Sequence, residues 1–160
     1  MIRTLCLFVT LSVLPLFAAG EVGTTAANFN LKDLDSVPHT LTALRGKVVL
    51  LNLFGGGCPT CIGEAPKIEA FYQAYKDKGV AFLGLEIWNY TRSQVIAYRY
   101  NTGVTYPLLL LAGGVKSSYG VAYNTGYFVI DQQGVIRYKK NADYSTFDSA
   151  RVKVVLDSLL

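Results

Sequence analysis

The sequence predicts an α/β domain: a central mixed sheet flanked by helices, with a short N-terminal hairpin as an extension. Three observations predict it. Lys47–Phe54 and Val80–Ile87 are nearly continuous apolar runs of strand length, the pattern of strands buried on both faces. Between them, Cys61, Ala65, Ile68, Tyr72 and Tyr75 recur at steps of three and four, which makes one apolar helix face. Near the end, Tyr127–Asp131, a Gln132-Gln133-Gly134 turn and Val135–Lys139 read as an antiparallel hairpin. The strand–helix–strand unit implies a right-handed parallel crossover, so both strands finish at one sheet edge, where α/β folds place their sites.

The totals agree with one domain. The chain has 160 residues, half of them apolar and only 16% charged, which excludes a disordered chain. The net charge of +4 comes with no basic run longer than Lys139-Lys140, so no nucleic-acid partner is expected. Residues 1–20 stand apart. Arg3 is their only charge, Leu5–Phe17 is apolar except for Thr10 and Ser12, and Ala18-Ala19-Gly20 supplies small residues for cleavage. This reads as a secretory signal peptide ahead of a single domain over 21–160. An uncleaved anchor is the rival, but the apolar run is short for a span of about 20 residues. The leader implies a periplasmic or otherwise extracytoplasmic protein. Cys6 lies inside the leader and reads as an incidental apolar residue.

The elements follow in order. Phe29–Leu31 and Thr40–Leu41 form the entry hairpin, and 41–46 is a helical turn closed by Gly46. After Lys47–Phe54, a helix opens at Cys58 and runs to about Lys78, where Gly79 stops it; Pro66 inside it predicts a kink. Thr91–Tyr100 is a second helix capped by Thr91 or Asn89. Pro107–Leu111 is a short strand and Gly113–Tyr119 a brief helix or turn. Beyond the closing hairpin, Ser145-x-x-Asp148 resembles a capping box opening a last helix to about Leu159, with Phe147, Ala150, Val154, Val155 and Leu159 as its buried stripe.

The chemistry concentrates at Gly55-Gly56-Gly57-Cys58-Pro59-Thr60-Cys61. Two thiols at this spacing can close a small disulfide ring. Pro59 suits the first helical turn, where a missing N–H costs nothing. The helix start aims free N–H groups and a positive dipole end at Cys58, which favours a thiolate. Cys58 is therefore expected to be an exposed nucleophile and Cys61, one turn deeper, a buried resolving thiol. A zinc half-site and a pair of ordinary core cysteines are the competing readings. Zinc takes four ligands, and outside the leader the chain offers two Cys and His39. No metal and no cofactor are expected.

Taken together, Leu51-Asn52-Leu53-Phe54-x-x-x-Cys58-Pro59-x-Cys61-x-x-Glu64-x-Pro66, Tyr119-Gly120-Val121 and Phe128-Val129-Ile130-Asp131-x-x-Gly134-Val135-Ile136 resemble the TlpA-like branch of the thioredoxin superfamily over residues 24–158. The resemblance implies a thioredoxin-like fold and an extracytoplasmic thiol-disulfide oxidoreductase; some members keep apocytochrome c thiols reduced for haem attachment. It gives weight to Glu64, otherwise a solvated helix charge, as the carboxylate that shuttles a proton when Cys61 attacks. Asn52 stands where ordinary thioredoxins carry a buried acid. It cannot take a proton, and by itself reads as a hydrogen-bonded core amide.

Two departures from the family pattern matter. Gly57 replaces the Trp that precedes the first Cys. Trp88, the only Trp, follows the second strand at the active edge and reads either as a partial replacement or as an ordinary loop aromatic. Thr125 replaces the cis-proline that faces the disulfide; a cis bond before Thr would cost about 3 kcal/mol, so either a strained bond or a rearranged loop is expected. Tyr119, Tyr123 and Tyr127 recur by four and read as a half-buried aromatic set or the lining of a groove. His39 reads as a surface or turn residue, Glu86 as a satisfied strand-end acid.

The leading function is reduction of a protein disulfide substrate, with electrons from a membrane-embedded donor as the resemblance implies, in a monomer. An oxidant of the same class is the near alternative. A peroxidase of related fold would carry Thr where Gly55 stands. A metal-binding or assembly module holding copper or a client through the two thiols is the alternative from another class, and a degenerate structural member the last.

Overall fold

The computed structural model describes residues 20–122, 125–141 and 146–160. The expected leader, apart from Gly20, lies outside the described residues, as do Tyr123 and Ser145.

Strands β1 (Asn30–Lys32) and β2 (Pro38–Thr40) form the entry hairpin, antiparallel, with Leu31 opposite His39. Asp33 builds its turn. The Asp33 carboxylate accepts the N–H groups of Asp35 and Val37 and meets His39 Nε2 at 2.7 Å. His39 is thus a half-buried partner that holds the turn. Burial alone would raise the Asp33 pKa, but His39 and the two N–H groups outweigh it and hold the carboxyl below its ordinary range.

The main sheet has five strands in the order β5-β4-β3-β6-β7. β3 (Val48–Phe54) is central. It pairs parallel with β4 (Val80–Glu86) and antiparallel with β6 (Gly126–Ile130), so Leu51 sits between Leu83 and Phe128. β5 (Leu108–Leu109), a shorter strand than the sequence predicts, pairs parallel with β4 at one edge. β7 (Ile136–Lys140) closes the other edge, antiparallel to β6. Period-two alternation along β3 splits the core in two. Val48, Leu50 and Phe54 face the helices α1 (Pro59–Tyr75), α2 (Arg92–Thr102) and α3 (Ser149–Leu159), which add Ile68, Tyr98 and Val152. Val49, Leu51 and Leu53 face the opposite side, closed by Phe29, Leu41, Ala112 and Tyr119.

The helix ends refine the sequence reading. α1 passes into a 3₁₀ turn over Lys76–Lys78 before Gly79, at φ +84°, ends it; the helix carries Pro66 without interruption. Thr91 and Gln94 form a complete capping box at α2. For α3 the expected start is corrected. Asp148 itself caps the helix, accepting the N–H of Arg151, so the helix begins at Ser149. Of the expected stripe, Phe147 is buried and Val155 and Leu159 pack against the core half-buried, but its centre is Val152 and Leu156, while Ala150 and Val154 are exposed.

Candidate active site

The central strand β3 ends at Phe54, and the chain turns through three glycines into α1. Cys58 is the N-cap of α1, with Pro59 at its first position. Its N–H bonds the Gly55 carbonyl at 3.0 Å, and its Sγ accepts the N–H of Cys61 at 3.3 Å. A backbone donor aimed at a sulfur on a helix N-cap is the environment in which a thiolate is held. Both cysteines are thiols. Cys61 lies one turn in and is 2% exposed; burial, then the hydrogen bond with Cys58, push its thiol well above the ordinary range. Thr60 is half-buried on the first turn, and Gly57 is exposed just before the pair.

One expectation is corrected. Cys58 is not an exposed nucleophile; it is only 2% exposed, as buried as Cys61. The β4–α2 connection lies over the turn that leads into Cys58, and it explains the glycine run. A Cβ at Gly55 would overlap the Trp88 indole, one at Gly56 would come within 2.9 Å of the Tyr90 ring, and one at Gly57 would overlap the Tyr90 hydroxyl. The two rings stack edge to face, 5.8 Å apart. Trp88 therefore lies across the turn where the family's Trp is missing, and Tyr90, which sequence reasoning passed over, lies beside it.

Glu86 holds this arrangement. The residue is fully buried at the end of β4. Its carboxylate accepts the N–H of Gly56 at 3.3 Å, of Trp88 at 3.1 Å and of Tyr90 at 2.8 Å. It is the satisfied strand-end acid that the sequence indicates, and it also ties the glycine turn to the aromatic connection. Asn89 fixes the same connection from outside: its backbone adopts φ +58°, and its side chain accepts the N–H of Gly113.

Behind the thiols, Asn52 is buried on β3 and donates to the Tyr106 hydroxyl at 3.2 Å. Among the described residues, the buried Asn52 Oδ1, Tyr98 Oη and Tyr127 Oη have no hydrogen-bond partner. Burial drives the pKa of all three tyrosines far up, and the nearby Cys61 adds to it, so they stay protonated. Tyr119 and Tyr127 do not line one groove. Tyr119 sits in the core across the sheet, donating to the Ala27 carbonyl at 2.7 Å, whereas Tyr127 packs with Phe147 on the helical side.

Glu64 lies one turn beyond Cys61. Its carboxylate pairs with Lys67 at 3.0 Å and accepts the N–H of Phe147 at 2.8 Å, which anchors the approach to α3. Thr125 is buried and directly precedes β6, whose Gly126 faces Leu53. This puts Thr125 at the same sheet edge as the glycine turn. No peptide bond is cis among the described residues; the bond into Thr125 comes from Asn124, outside them.

A profile of the Redoxin family matches residues 21–156. The thiol-disulfide oxidoreductase ResA of Geobacillus thermodenitrificans is 33% identical over 120 residues, covering 74% of this chain and 68% of that protein. The thioredoxin-like protein YneN of Bacillus subtilis is 30% identical, covering 73% of this chain and 69% of its own. Among solved structures, the thioredoxin domain of a thiol-disulfide oxidoreductase from Bacteroides vulgatus superposes with a TM-score of 0.75 at 22% identity, over 88% of this chain and 99% of that one. At that identity the likeness speaks for the fold.

Proposed function

From the premise that the chain belongs to the Redoxin family, as a TlpA-like member of the thioredoxin superfamily, we propose that it is an extracytoplasmic thiol-disulfide oxidoreductase that reduces protein disulfides. The observation that carries this reading is the Cys58 sulfur on the N-cap of α1, taking the Cys61 N–H, at the edge where β3 and β4 both end.

The steps follow from the two thiols. The Cys58 thiolate attacks one sulfur of a substrate disulfide; the other substrate sulfur leaves as a thiolate and takes up a proton. The mixed disulfide keeps Cys58 bonded to the substrate. Cys61 then loses its proton and attacks Cys58 Sγ, which releases the second substrate thiol and leaves a Cys58–Cys61 disulfide. Two electrons pass to the substrate. Burial disfavours the Cys61 thiolate, so resolution needs a base, and Glu64 on the next turn of α1 fills that role. Asn52, which cannot accept a proton, keeps the thiols' inner wall polar through Tyr106.

Electrons return from a membrane-embedded donor, and the protein works as a monomer. Its clients are extracytoplasmic proteins with disulfides that must be opened, apocytochrome c among them. The leader read at residues 1–20 supports the location, and no described helix is long and apolar enough to cross a membrane.

A trapping experiment tests the proposal. Replacing the resolving thiol, Cys61→Ser, leaves the attack intact and blocks release, so a disulfide-bearing protein should accumulate as a covalent adduct that reductant dissolves. Cys58→Ser should form none. An adduct that forms equally well with Cys58→Ser would overturn the assignment of nucleophile.

A further inference from the structure

A nucleophile that is 2% exposed cannot reach a sulfur on another protein. A neighbouring group has to move, and the glycine turn that leads into Cys58 is where two rings lie. The backbone of the β4–α2 connection is held on both sides, by Glu86 on the N–H groups of Trp88 and Tyr90 and by Asn89 on Gly113. The cover is therefore not a loop that lifts. Trp88 packs against both halves of the core, so its ring is fixed from two directions. Tyr90 packs against the helical half only, remains half-buried, and lays its ring on Gly56 and its hydroxyl on Gly57. It is the outer ring of the pair, and Gly57 beneath it is exposed.

We propose that Tyr90 is the gate of the dithiol site: its side chain covers the glycine turn and Cys58 in the resting protein and swings aside on a fixed backbone to admit a substrate disulfide. The proposal rests on Cys58 being the attacking thiol. It gives the glycines a role beyond flexibility. Gly57 is the seat of the hydroxyl, and any side chain there competes with the closed position. The gate also discriminates by size. A small disulfide needs a smaller excursion of the ring than one carried on a folded protein.

The closed position makes a specific prediction about three variants. Tyr90→Ala removes the cover. Gly57→Ala places a methyl where the hydroxyl sits and should force the gate open. In the double variant Gly57→Ala, Tyr90→Phe the hydroxyl is gone, and the nearest remaining ring atoms stand at 3.2 and 3.4 Å from the new methyl, a contact that small shifts accommodate. That variant should close again.

The readout is the rate at which iodoacetamide alkylates Cys58 in the reduced full chain, mapped by mass and read at the high-pH plateau so that thiolate fraction drops out. A gate closed about nine-tenths of the time slows the reaction about tenfold. Tyr90→Ala and Gly57→Ala should therefore react about tenfold faster than the natural protein, with no dependence on low urea, and the double variant should return to the natural rate. Rates for Tyr90→Ala and Gly57→Ala equal to the natural one would overturn the gate. So would a double variant as fast as Gly57→Ala alone, or acceleration that rises with urea, which reports general loosening instead. The alkylation pattern does not depend on reductase activity. If it holds while no disulfide is reduced, the function fails and the gate stands.

Discussion

Glu86→Gln is the substitution whose effect the structure specifies most closely. The side chain keeps its size, so no cavity forms, and the change isolates the hydrogen bonds. Glu86 presents one oxygen to Gly56 and Trp88 and the other to Tyr90, all three as N–H donors. A glutamine has one oxygen and one NH₂. If the oxygen stays with Gly56 and Trp88, the NH₂ faces the Tyr90 N–H, the shortest of the three bonds at 2.8 Å. If it turns, two N–H groups lose their acceptor. Either way at least one bond to a charged acceptor is lost, worth about 1.5–3 kcal/mol, and a donor in a fully buried site is left unmatched, which costs about 1–3 kcal/mol more. The expected loss is about 3 kcal/mol. With a urea slope of about 1–3 kcal/mol per molar, the unfolding midpoint should fall by roughly 1–3 M. Equilibrium urea unfolding followed by Trp88 fluorescence measures it, on the ring nearest the change. A midpoint within about 0.3 M of the natural protein would mean that the three bonds hold nothing, and the clamp between the glycine turn and the aromatic connection would have to be abandoned.

Two further substitutions probe other parts of the account. Glu64→Gln keeps the bond to the Phe147 N–H but cannot accept a proton; reduction of a protein disulfide should slow by about 10²-fold or more, with the pH profile changed, while thermal stability shifts little because its pair with Lys67 is largely exposed on the lysine side. An unchanged rate and profile would leave Glu64 as an anchor for α3 alone. Asp131 accepts the N–H groups of Gln133 and Val135 and the Arg137 Nε at 2.6 Å. Burial would raise its pKa, but the Val135 N–H, Arg137 and the Gln133 N–H together hold it below the ordinary 3.8. A carboxyl depressed in the folded state stabilises fully above the unfolded value and loses that contribution as pH falls through the folded one. Asp131→Asn should therefore cost about 1–3 kcal/mol at neutral pH and flatten the fall in stability below about pH 4; stability curves that run parallel across that range would contradict it.

The sheet and its helices were legible because their signals are local and periodic. Lys47–Phe54 and Val80–Ile87 are apolar on both faces, and a parallel pair buried between two layers needs that. The cap at Thr91 is a local signal, as is the proline after Cys58; that Gln94 completes a capping box, and that Asn89 is not the cap, is seen only in the fold. The start of α3 is ambiguous in the sequence because Ser145 and Asp148 are both competent caps. Which one ends up at the helix start is decided by burial of Val152 and Leu156 against the sheet, a tertiary effect. The site was legible in its chemistry and not in its cover. Cys-x-x-Cys announces two thiols at a helix start. Trp88 and Tyr90, thirty residues or more beyond Cys58, arrive over Gly55–Gly57 because β4 runs parallel beside β3. In the fold the three glycines are space already filled by two rings. Tyr98, Tyr106 and Tyr127 meet near Asn52 only once α2 and the sheet have packed, and nothing in their spacing foretells it.

Reduction of protein disulfides requires Cys58 and Cys61 to form a reversible couple that donates electrons. The measurement is their reduction potential, in the chain from residue 21 onward, equilibrated in thiol buffers of known poise with alkylation and mass readout. A two-electron couple near or below that of thioredoxin, about −270 mV, is the result expected of a protein-disulfide reductant fed from the membrane. A value near about −120 mV, that of a strong periplasmic oxidant, would contradict the direction of electron flow. No reversible couple at all would contradict the oxidoreductase itself.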